Sequence, residues 1–233
     1  MAGGRSERMR ATNGPLHKAL VEVGGVPLIE RNLIALFGEN FADVVVVTSG
    51  REPALNAYLS ERGRALARRY GAQLETFVET EPLGNIGVGG VLNDGRHDLL
   101  VAYVDNLTSI AAGKLLARHR ATSAALTIAT HLWPLRNPFG ELEIDGGYVR
   151  AYREKPVRNV RISSGSCVIA PAAAALIPAQ RPFGAAELCA NVLAAALPVA
   201  AYEHDELWID VNDADALRKA EAMLRANPGR FFV

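Results

Sequence analysis

Cysteine is nearly missing from this chain: of 233 residues only Cys167 and Cys189 carry a thiol, and both stand among apolar or small neighbours. Two thiols in such settings suit buried, reduced side chains in a cytoplasmic protein better than a disulfide bridge or a zinc site. An excess of charge of either sign is missing too, since 25 Lys and Arg stand against 25 Asp and Glu. No overall field draws such a chain to nucleic acid or to an anionic membrane, which favours a small-molecule partner. There is no signal peptide and no apolar run long enough to span a bilayer; the alanine-rich tracts are broken by charge or proline and read as core helix. The five histidines are scattered, no Ser-His-Asp or Cys-His arrangement can be assembled, and the histidines other than His17 are read as structural. Linkers, internal repeats and low-complexity segments are absent as well. At 49% hydrophobic residues this length forms one domain, 1–233, with a well-buried core that needs neither disulfide nor metal to hold it.

What is present is a recurring pattern of Val-rich apolar runs with helical periodicity between them, the mark of an α/β sandwich with a mainly parallel central sheet. Helices are expected over 27–37, 51–70, 109–120, 172–177, 185–196 and 213–226, with Asp213 as N-cap of the last and Thr108 or Ser109 as cap of the third. Strands are expected over 43–48, 73–78, 98–104 (ending at Asp105), 124–132 and 162–170, with strand character over 198–209 broken at Glu203-His204-Asp205-Glu206. Between them, 139–144, Asp145-Gly146-Gly147 and 148–152 read as a β-hairpin with a glycine turn.

Chemistry-bearing residues sit at the edges of these elements. At the start, Ala2-Gly3-Gly4 followed by Arg8 and Lys18 reads as a triphosphate cradle: adjacent glycines let backbone N–H groups close around an anion, and two cations join them. Asp105 ends an apolar strand at the side of an α/β sheet where ligands bind. A strand-end aspartate serves equally as a helix cap, and on position alone the two readings are even. Trp208-Ile209-Asp210-Val211-Asn212 repeats the pattern, and two such carboxylates suffice to hold Mg²⁺ together with phosphate oxygens and water. Glu154-Lys155-Pro156, after the hairpin, offers an acid and a base on a turn set by proline. Thr80-Glu81-Pro82-Leu83-Gly84-Asn85 allows close backbone approach to a flat ligand or a phosphate, or simply starts a helix. Glu79 and Glu81 could accept the N–H donors of guanine, and solvated strand-end acids are an equal reading of both.

Taken in order, these motifs resemble the sugar-1-phosphate nucleotidyltransferase family over nearly the whole chain. Ala2-Gly3-Gly4 with Arg8 and Lys18 is similar to the family's N-terminal motif, Glu81-Pro82-Leu83-Gly84 to its base-binding loop, and Asp105 to its first metal aspartate. Glu154-Lys155-Pro156 is similar to its sugar-side motif, Ser163-Ser164-Gly165 to its sugar-binding Asn-Ala-Gly, and Trp208 with Asp210 to its second metal site. The resemblance implies the nucleotide-diphospho-sugar transferase fold, a Rossmann-like three-layer α/β/α sandwich whose residues 1–135 mainly bind NTP and whose residues 136–233 mainly bind sugar phosphate. It implies transfer of a nucleoside monophosphate, leaning to GTP, onto a sugar-1-phosphate or related cyclic phosphate with release of pyrophosphate. Arg8 and Lys18 would be catalytic and Mg²⁺ would sit on Asp105 and Asp210. Ala2, Gly3, Gly4, Glu79, Glu81, Pro82, Gly84 and Asn85 would bind the nucleotide, and Gly140, Glu154, Lys155 and Gly165 the acceptor. A homo-oligomer is compatible with this.

The departures are Ser6 and Glu7 in place of a glycine and a threonine, His17 where proline precedes the lysine, Tyr103-Val104 for an Asn-Gly pair, Asn212 for a glycine and Ser163 for an asparagine. They loosen the inference about the sugar and motivate a rival reading, a non-catalytic nucleotide or NDP-sugar binder on the same fold. The wording Gly-Gly-Arg-Ser-x-Arg-Met also resembles molybdenum-cofactor guanylyltransferases, against which stand Glu154-Lys155-Pro156 and the long interval before Lys18. A nicotinamide enzyme is discarded for lack of Gly-x-Gly-x-x-Gly. A phosphate loop normally follows a central strand, so an apolar strand ahead of Ala2, or another element completing the sheet, is expected.

Overall fold

The computed structural model describes residues 17–231. A 3₁₀ turn (Lys18–Leu20) enters the small hairpin β1 (Glu22–Val23) and β2 (Val26–Pro27), followed by α1 (Leu28–Gly38) and β3 (Asp43–Ser49). The expected long helix is α2 (Pro53–Tyr58), a π turn (Leu59–Gly63) and α3 (Arg64–Arg69) in one run, leading to β4 (Gln73–Glu79), α4 (Val88–Leu92), β5 (Leu99–Val101) and β6 (Asn106–Thr108). Then come α5 (Ala112–Thr122), β7 (Leu126–Arg136), β8 (Glu141–Asp145), β9 (Tyr148–Arg153) and β10 (Val157–Ile169). α6 (Pro171–Ala174), α7 (Ala185–Ala194), β11 (Val199–Glu203), β12 (Trp208–Asp210) and α8 (Ala214–Ala226) complete the described chain. Among the described residues no helix is long and apolar enough to cross a membrane.

The central sheet is mixed rather than mainly parallel. In the four-stranded sheet, ordered β11-β7-β10-β5, β11 and β7 are parallel but β10 runs antiparallel to both β7 and β5, while β3 and β4 pair in parallel as a two-stranded sheet of their own. The reason is the connection: β7 leads straight into the β8–β9 hairpin, and a chain that turns back beside itself without a crossover helix must return antiparallel. That hairpin turns on Gly146 and Gly147, both at positive φ (56 and 83), as a two-residue hairpin turn of matching twist requires. Its ribbon is amphipathic, with Leu142, Ile144, Val149 and Tyr152 exposed.

Layering follows from alternation along β10. Cys167 and Ile169 pack with Leu188 and Val192 of α7, while Val168 between them packs with Leu115 of α5, so helices cover both faces of the sheet. A third cluster, Leu33, Phe37, Val46, Leu55, Leu59 and Leu74, joins α1 and the α2–α3 run to β3 and β4. There Arg62 donates from Nε and Nη2 to the Glu30 carboxylate at 2.8 and 3.1 Å and the Tyr58 hydroxyl donates to the same group; these contacts, the Arg62 pairing foremost, hold Glu30 below the usual carboxylate range. Both cysteines are free, and burial pushes the Cys167 thiol up to about 12, which keeps it protonated and inert.

Two of the shifted boundaries bear on the site. β5 stops at Val101, and the chain turns with Asn106 N–H donating to Tyr103 C=O at 3.2 Å, so Asp105 lies in a turn and not on a strand end. α5 begins at Ala112 without a cap from Thr108 or Ser109; instead Glu39, just past α1, accepts from Ala112 N–H and Gly113 N–H at 2.9 and 2.8 Å. A carboxylate at a helix N-terminus satisfies donors the helix cannot. Thr108 and Ser109 are occupied elsewhere: the Thr108 hydroxyl donates to Leu207 C=O at 3.0 Å, and the Ser109 hydroxyl accepts from Leu207 N–H at 3.0 Å. Asp213 does cap α8, accepting from Ala216 N–H at 2.8 Å. The strand expected ahead of Ala2 falls outside the described residues.

Candidate active site

Lys18 opens the 3₁₀ turn, and the buried His17 caps that turn by accepting from Ala19 N–H at Nδ1, 3.1 Å. A buried imidazole at the cap fixes where the neighbouring Lys18 side chain leaves the backbone, and its ammonium meets the Asp105 carboxylate. The turn bearing Asp105 is pinned from α1, where Asn32 Nδ2 donates to Leu28 C=O at 2.8 Å and to Val104 C=O at 3.3 Å. On the other side β6 pairs antiparallel with β12, Asn106 opposite Asp210, and Val211 N–H donates to Asp105 C=O at 2.8 Å. Asp105 and Asp210 thus occupy neighbouring positions on adjacent backbone segments although 105 residues separate them in sequence. Asn212 Nδ2 donates to Asp210 Oδ2 at 2.9 Å, orienting that carboxylate. Among the described residues no group of three or more His, Cys, Asp or Glu gathers to hold a metal.

Gly165 is the third side of this corner. It sits in the irregularity of β10 between Ser163 and Cys167 at φ +75, and a Cβ there would lie 2.3 Å from Asn106 Nδ2 and 3.0 Å from Tyr103. Only glycine lets β10 come this close to the residue after Asp105. Ser164 C=O accepts from Asn106 Nδ2 at 3.1 Å and from Trp208 Nε1 at 2.8 Å, so β6, β10 and β12 are tied at one atom.

Glu154 and Lys155 are not brought to that corner. They lie at the far end of the β7–β10 ladder, six regular residues beyond Ser163 by way of Val157, or about 20 Å of strand. Both are exposed, Lys155 Nζ is 3.9 Å from Glu154 Oε1, and the Tyr152 hydroxyl donates to Glu154 Oε2 at 2.8 Å. Gly140 is packed under the Tyr152 ring, whose Cζ would be 2.5 Å from an added Cβ.

The loop after β4 is built on Glu79, which is buried and accepts from Leu83 N–H at 3.2 Å; burial raises its pKa. Glu81 and Pro82 are exposed. Gly84, at φ +79, lies against the Phe183 backbone, with an added Cβ 2.5 Å from its carbonyl oxygen, and Asn85 Oδ1 accepts from Ala185 N–H at 3.0 Å at the start of α7. Gly84 and Asn85 therefore have packing roles that the sequence does not reveal. Ala2, Gly3, Gly4 and Arg8 lie outside the described residues. A cavity of about 60 Å³ between α1 and β6, lined among others by Asn32, Leu36 and Leu107, is too small for a nucleotide.

Sequence reasoning missed Asn32, Asn106 and two histidines, and it read Ser164 only as part of the Ser163-Ser164-Gly165 motif. His131 Nδ1 is 2.8 Å from Ser164 Oγ, which is 2.7 Å from His204 Nε2, and His204 Nδ1 accepts from Glu206 N–H at 3.2 Å. His131 and His204 share no local spacing with Ser164, so the sequence carried no signal that joins the three. Burial pushes the pKa of both imidazoles down, and that of His119 behind the sheet as well. The folded state therefore resists protonating groups that the unfolded chain protonates near pH 6.5. Their contribution is complete above about pH 6.5 and is lost as pH falls from there through the lower folded values. Urea melts at pH 7.5 and 5.5 check this: lower stability at pH 5.5 is expected, and equal or higher stability there contradicts it.

The family described as nucleotidyl transferase matches residues 1–227. Mannose-1-phosphate guanyltransferase of Candida albicans is 26% identical over 220 residues, 91% of this chain and 59% of that protein. The chain thus spans about three fifths of the length of the guanyltransferases it matches. N-acetylmuramate alpha-1-phosphate uridylyltransferase of Neisseria meningitidis is 27% identical over 245 residues and covered to 97% in both chains. Among solved structures, UDP-glucose pyrophosphorylase from Acinetobacter baumannii superposes with a TM-score of 0.72 at 17% identity, covering 98% of this chain and 93% of its own. At that identity the likeness shows the nucleotide-diphospho-sugar transferase fold.

Proposed function

The chain belongs to the nucleotidyl transferase family, and from that premise we propose that it moves a nucleoside monophosphate from an NTP to a sugar-1-phosphate or related cyclic phosphate, releasing pyrophosphate. The observation that carries this reading is the β6–β12 corner, where Lys18 meets Asp105, Asp210 lies on the paired strand and Gly165 packs against Asn106. It joins a cation, two carboxylates and a close backbone approach, as a reaction between two anions needs. In such a transfer the protein mainly aligns the attacking and leaving oxygens and offsets charge. A sugar phosphate is ionised at neutral pH, so no side-chain nucleophile is required.

Lys18 is assigned to the triphosphate and Arg8 to the departing pyrophosphate, with the backbone of Ala2, Gly3 and Gly4 around the phosphates. The donor set fits Mg²⁺, which takes oxygen ligands from one or two carboxylates and completes its shell with phosphate and water; the Lys18 ammonium against Asp105 already marks that carboxylate as a place for positive charge. Asp105 and Asp210 would hold the ion, and when bound it supplies charge neutralisation between the two phosphates. Asn212 keeps the Asp210 carboxylate oriented, and Asn32 pins the turn that carries Asp105. Lys155 is assigned to the acceptor phosphate and Glu154 to a sugar hydroxyl beside it, which requires the β8–β9 arm to bend toward Asp105. Residues 1–135 form the nucleotide half and 136–233 the acceptor half.

The base is proposed to be guanine, with Glu79 or Glu81 of the loop after β4 as the acceptor for its N–H donors. The guanyltransferase name of the Candida relative points the same way; the uridylyltransferase name of the Neisseria relative is the competing case. Pyrophosphate release across a panel of NTPs and sugar-1-phosphates tests both claims. Release that needs NTP and acceptor together is expected, with a clear preference for GTP, since sites that hydrogen-bond their substrate discriminate by up to roughly 10⁴-fold or more. Equal turnover of GTP, UTP and dTTP would sink the guanine assignment, and nucleotide binding without release in any pair would favour a non-catalytic binder.

A further inference from the structure

The two-aspartate corner leaves the His131, Ser164 and His204 chain without a task, and one direction of its hydrogen bonds also gives the Ser164 hydroxyl proton an acceptor. Glu206 N–H is a donor, so His204 Nδ1 accepts and its ring proton sits on Nε2. That Nε2–H donates to Ser164 Oγ, whose single proton then goes to His131 Nδ1. His131 is left with its proton on Nε2. This nitrogen makes no hydrogen bond with the described residues, and the side chain is partly exposed.

Its surroundings are aromatic. Trp208 lies 4.8 Å from the imidazole, Trp133 stands edge-on at 6.0 Å, and the two indoles meet at 6.1 Å. Trp133 is 44% exposed, so this wall is open to a ligand. Trp208 is two residues before Asp210 on β12 and so on the same strand face, while Ser164, which anchors the Trp208 indole, adjoins Gly165. An apolar wall with one fixed N–H donor, beside the corner where the acceptor must attack, is suited to a ring carrying oxygen substituents.

We propose that His131 is a specificity-determining residue of the acceptor subsite: its Nε2–H, fixed by the Glu206, His204 and Ser164 chain, donates to a hydroxyl or carbonyl oxygen on the acceptor ring packed against Trp133 and Trp208. The inference rests on the transfer reading above. Burial keeps the imidazole neutral, which suits an uncharged oxygen rather than the phosphate.

Two measurements on the full chain test it. In ¹⁵N spectra His131 is expected as the neutral Nε2–H tautomer, losing that preference in Ser164→Ala, and its Nε2–H is expected to shift when sugar-1-phosphates are titrated with Mg²⁺ and a non-hydrolysable NTP analogue present. An Nδ1–H tautomer in the parent, or binding of a sugar phosphate without a shift at His131, overturns the inference whether or not the chain catalyses. In pyrophosphate-release kinetics His131→Phe, which keeps a ring and loses the donor, is expected to raise acceptor KM about tenfold. NTP KM should stay within about twofold, while discrimination against the matching deoxy-sugar phosphate disappears. A parent that releases pyrophosphate but whose His131→Phe variant keeps acceptor KM and discrimination overturns the inference and leaves the transfer reading standing. No release from any pair, with the His131 shift present, overturns the transfer reading alone, and no sugar phosphate binding at all overturns both.

Discussion

Asp105→Asn and Asp210→Asn are each expected to lower turnover on the order of a hundredfold or more, because losing one preorganised electrostatic contact costs about 3–4 kcal/mol of barrier. Asparagine preserves shape and a carbonyl acceptor, so Asn212 Nδ2 retains a partner at 210 and Val211 N–H still donates to the backbone carbonyl at 105. The Lys18–Asp105 pair is largely covered, with side chains 18% and 20% exposed, but the amide oxygen placed at 105 still accepts from the Lys18 ammonium, so the covered charge is not left without a partner. Thermal melts close to the parent's, with pyrophosphate release collapsed, are the expected pair of results. Chelation of divalent cations should abolish release in the parent. Near-parental turnover in either variant would remove that residue from the site.

Phe183→Ala is expected to destabilise the protein by about 3–5 kcal/mol, the usual cost of emptying a large buried aromatic position. Phe183 is 1% exposed and packs with Ile86, Leu188 and Val192 under the sheet. For a chain of this size that is a drop in Tm on the order of 10 °C. The effect should reach the nucleotide as well, since Phe183 N–H donates to Leu83 C=O at 2.9 Å, its carbonyl accepts from Ile86 N–H at 3.3 Å, and its backbone abuts Gly84. A rise in NTP KM larger than the rise in acceptor KM is the expected kinetic signature. A Tm within about two degrees of the parent's would show that the core around α7 does not brace this loop.

Features governed by neighbours in sequence were legible beforehand. β3 and β4 follow from their Val-rich or alternating runs, the β8–β9 turn from Gly146-Gly147, and the start of α8 from Asp213 ahead of an amphipathic stretch. What was not legible depends on residues far apart in the chain. The cap of α5 comes from Glu39, 73 residues upstream of Ala112, so the local candidates Thr108 and Ser109 misled. β10 reads as an ordinary buried strand, and its direction is set by the hairpin that precedes it. Of the candidate site, Lys18 meets Asp105, Gly165 packs against Asn106, and Asp210 lies opposite Asn106 on the β6–β12 ladder rather than at a parallel sheet edge. The spacing that singled out Glu154 and Lys155 says nothing about the length of ladder between them and Ser163. The imidazole pair escaped because a buried histidine network has no local signature.

The central claim is that Asp105 and Asp210 act through one shared cation at the corner facing Lys18. The most direct test is the Asp105→Asn, Asp210→Asn double variant, assayed for pyrophosphate release beside the two single variants. Residues acting as a unit lose their effect once, so the double variant should be nearly as active as the worse single variant. Losses that multiply in the double variant would show two independent contributions and contradict the shared site.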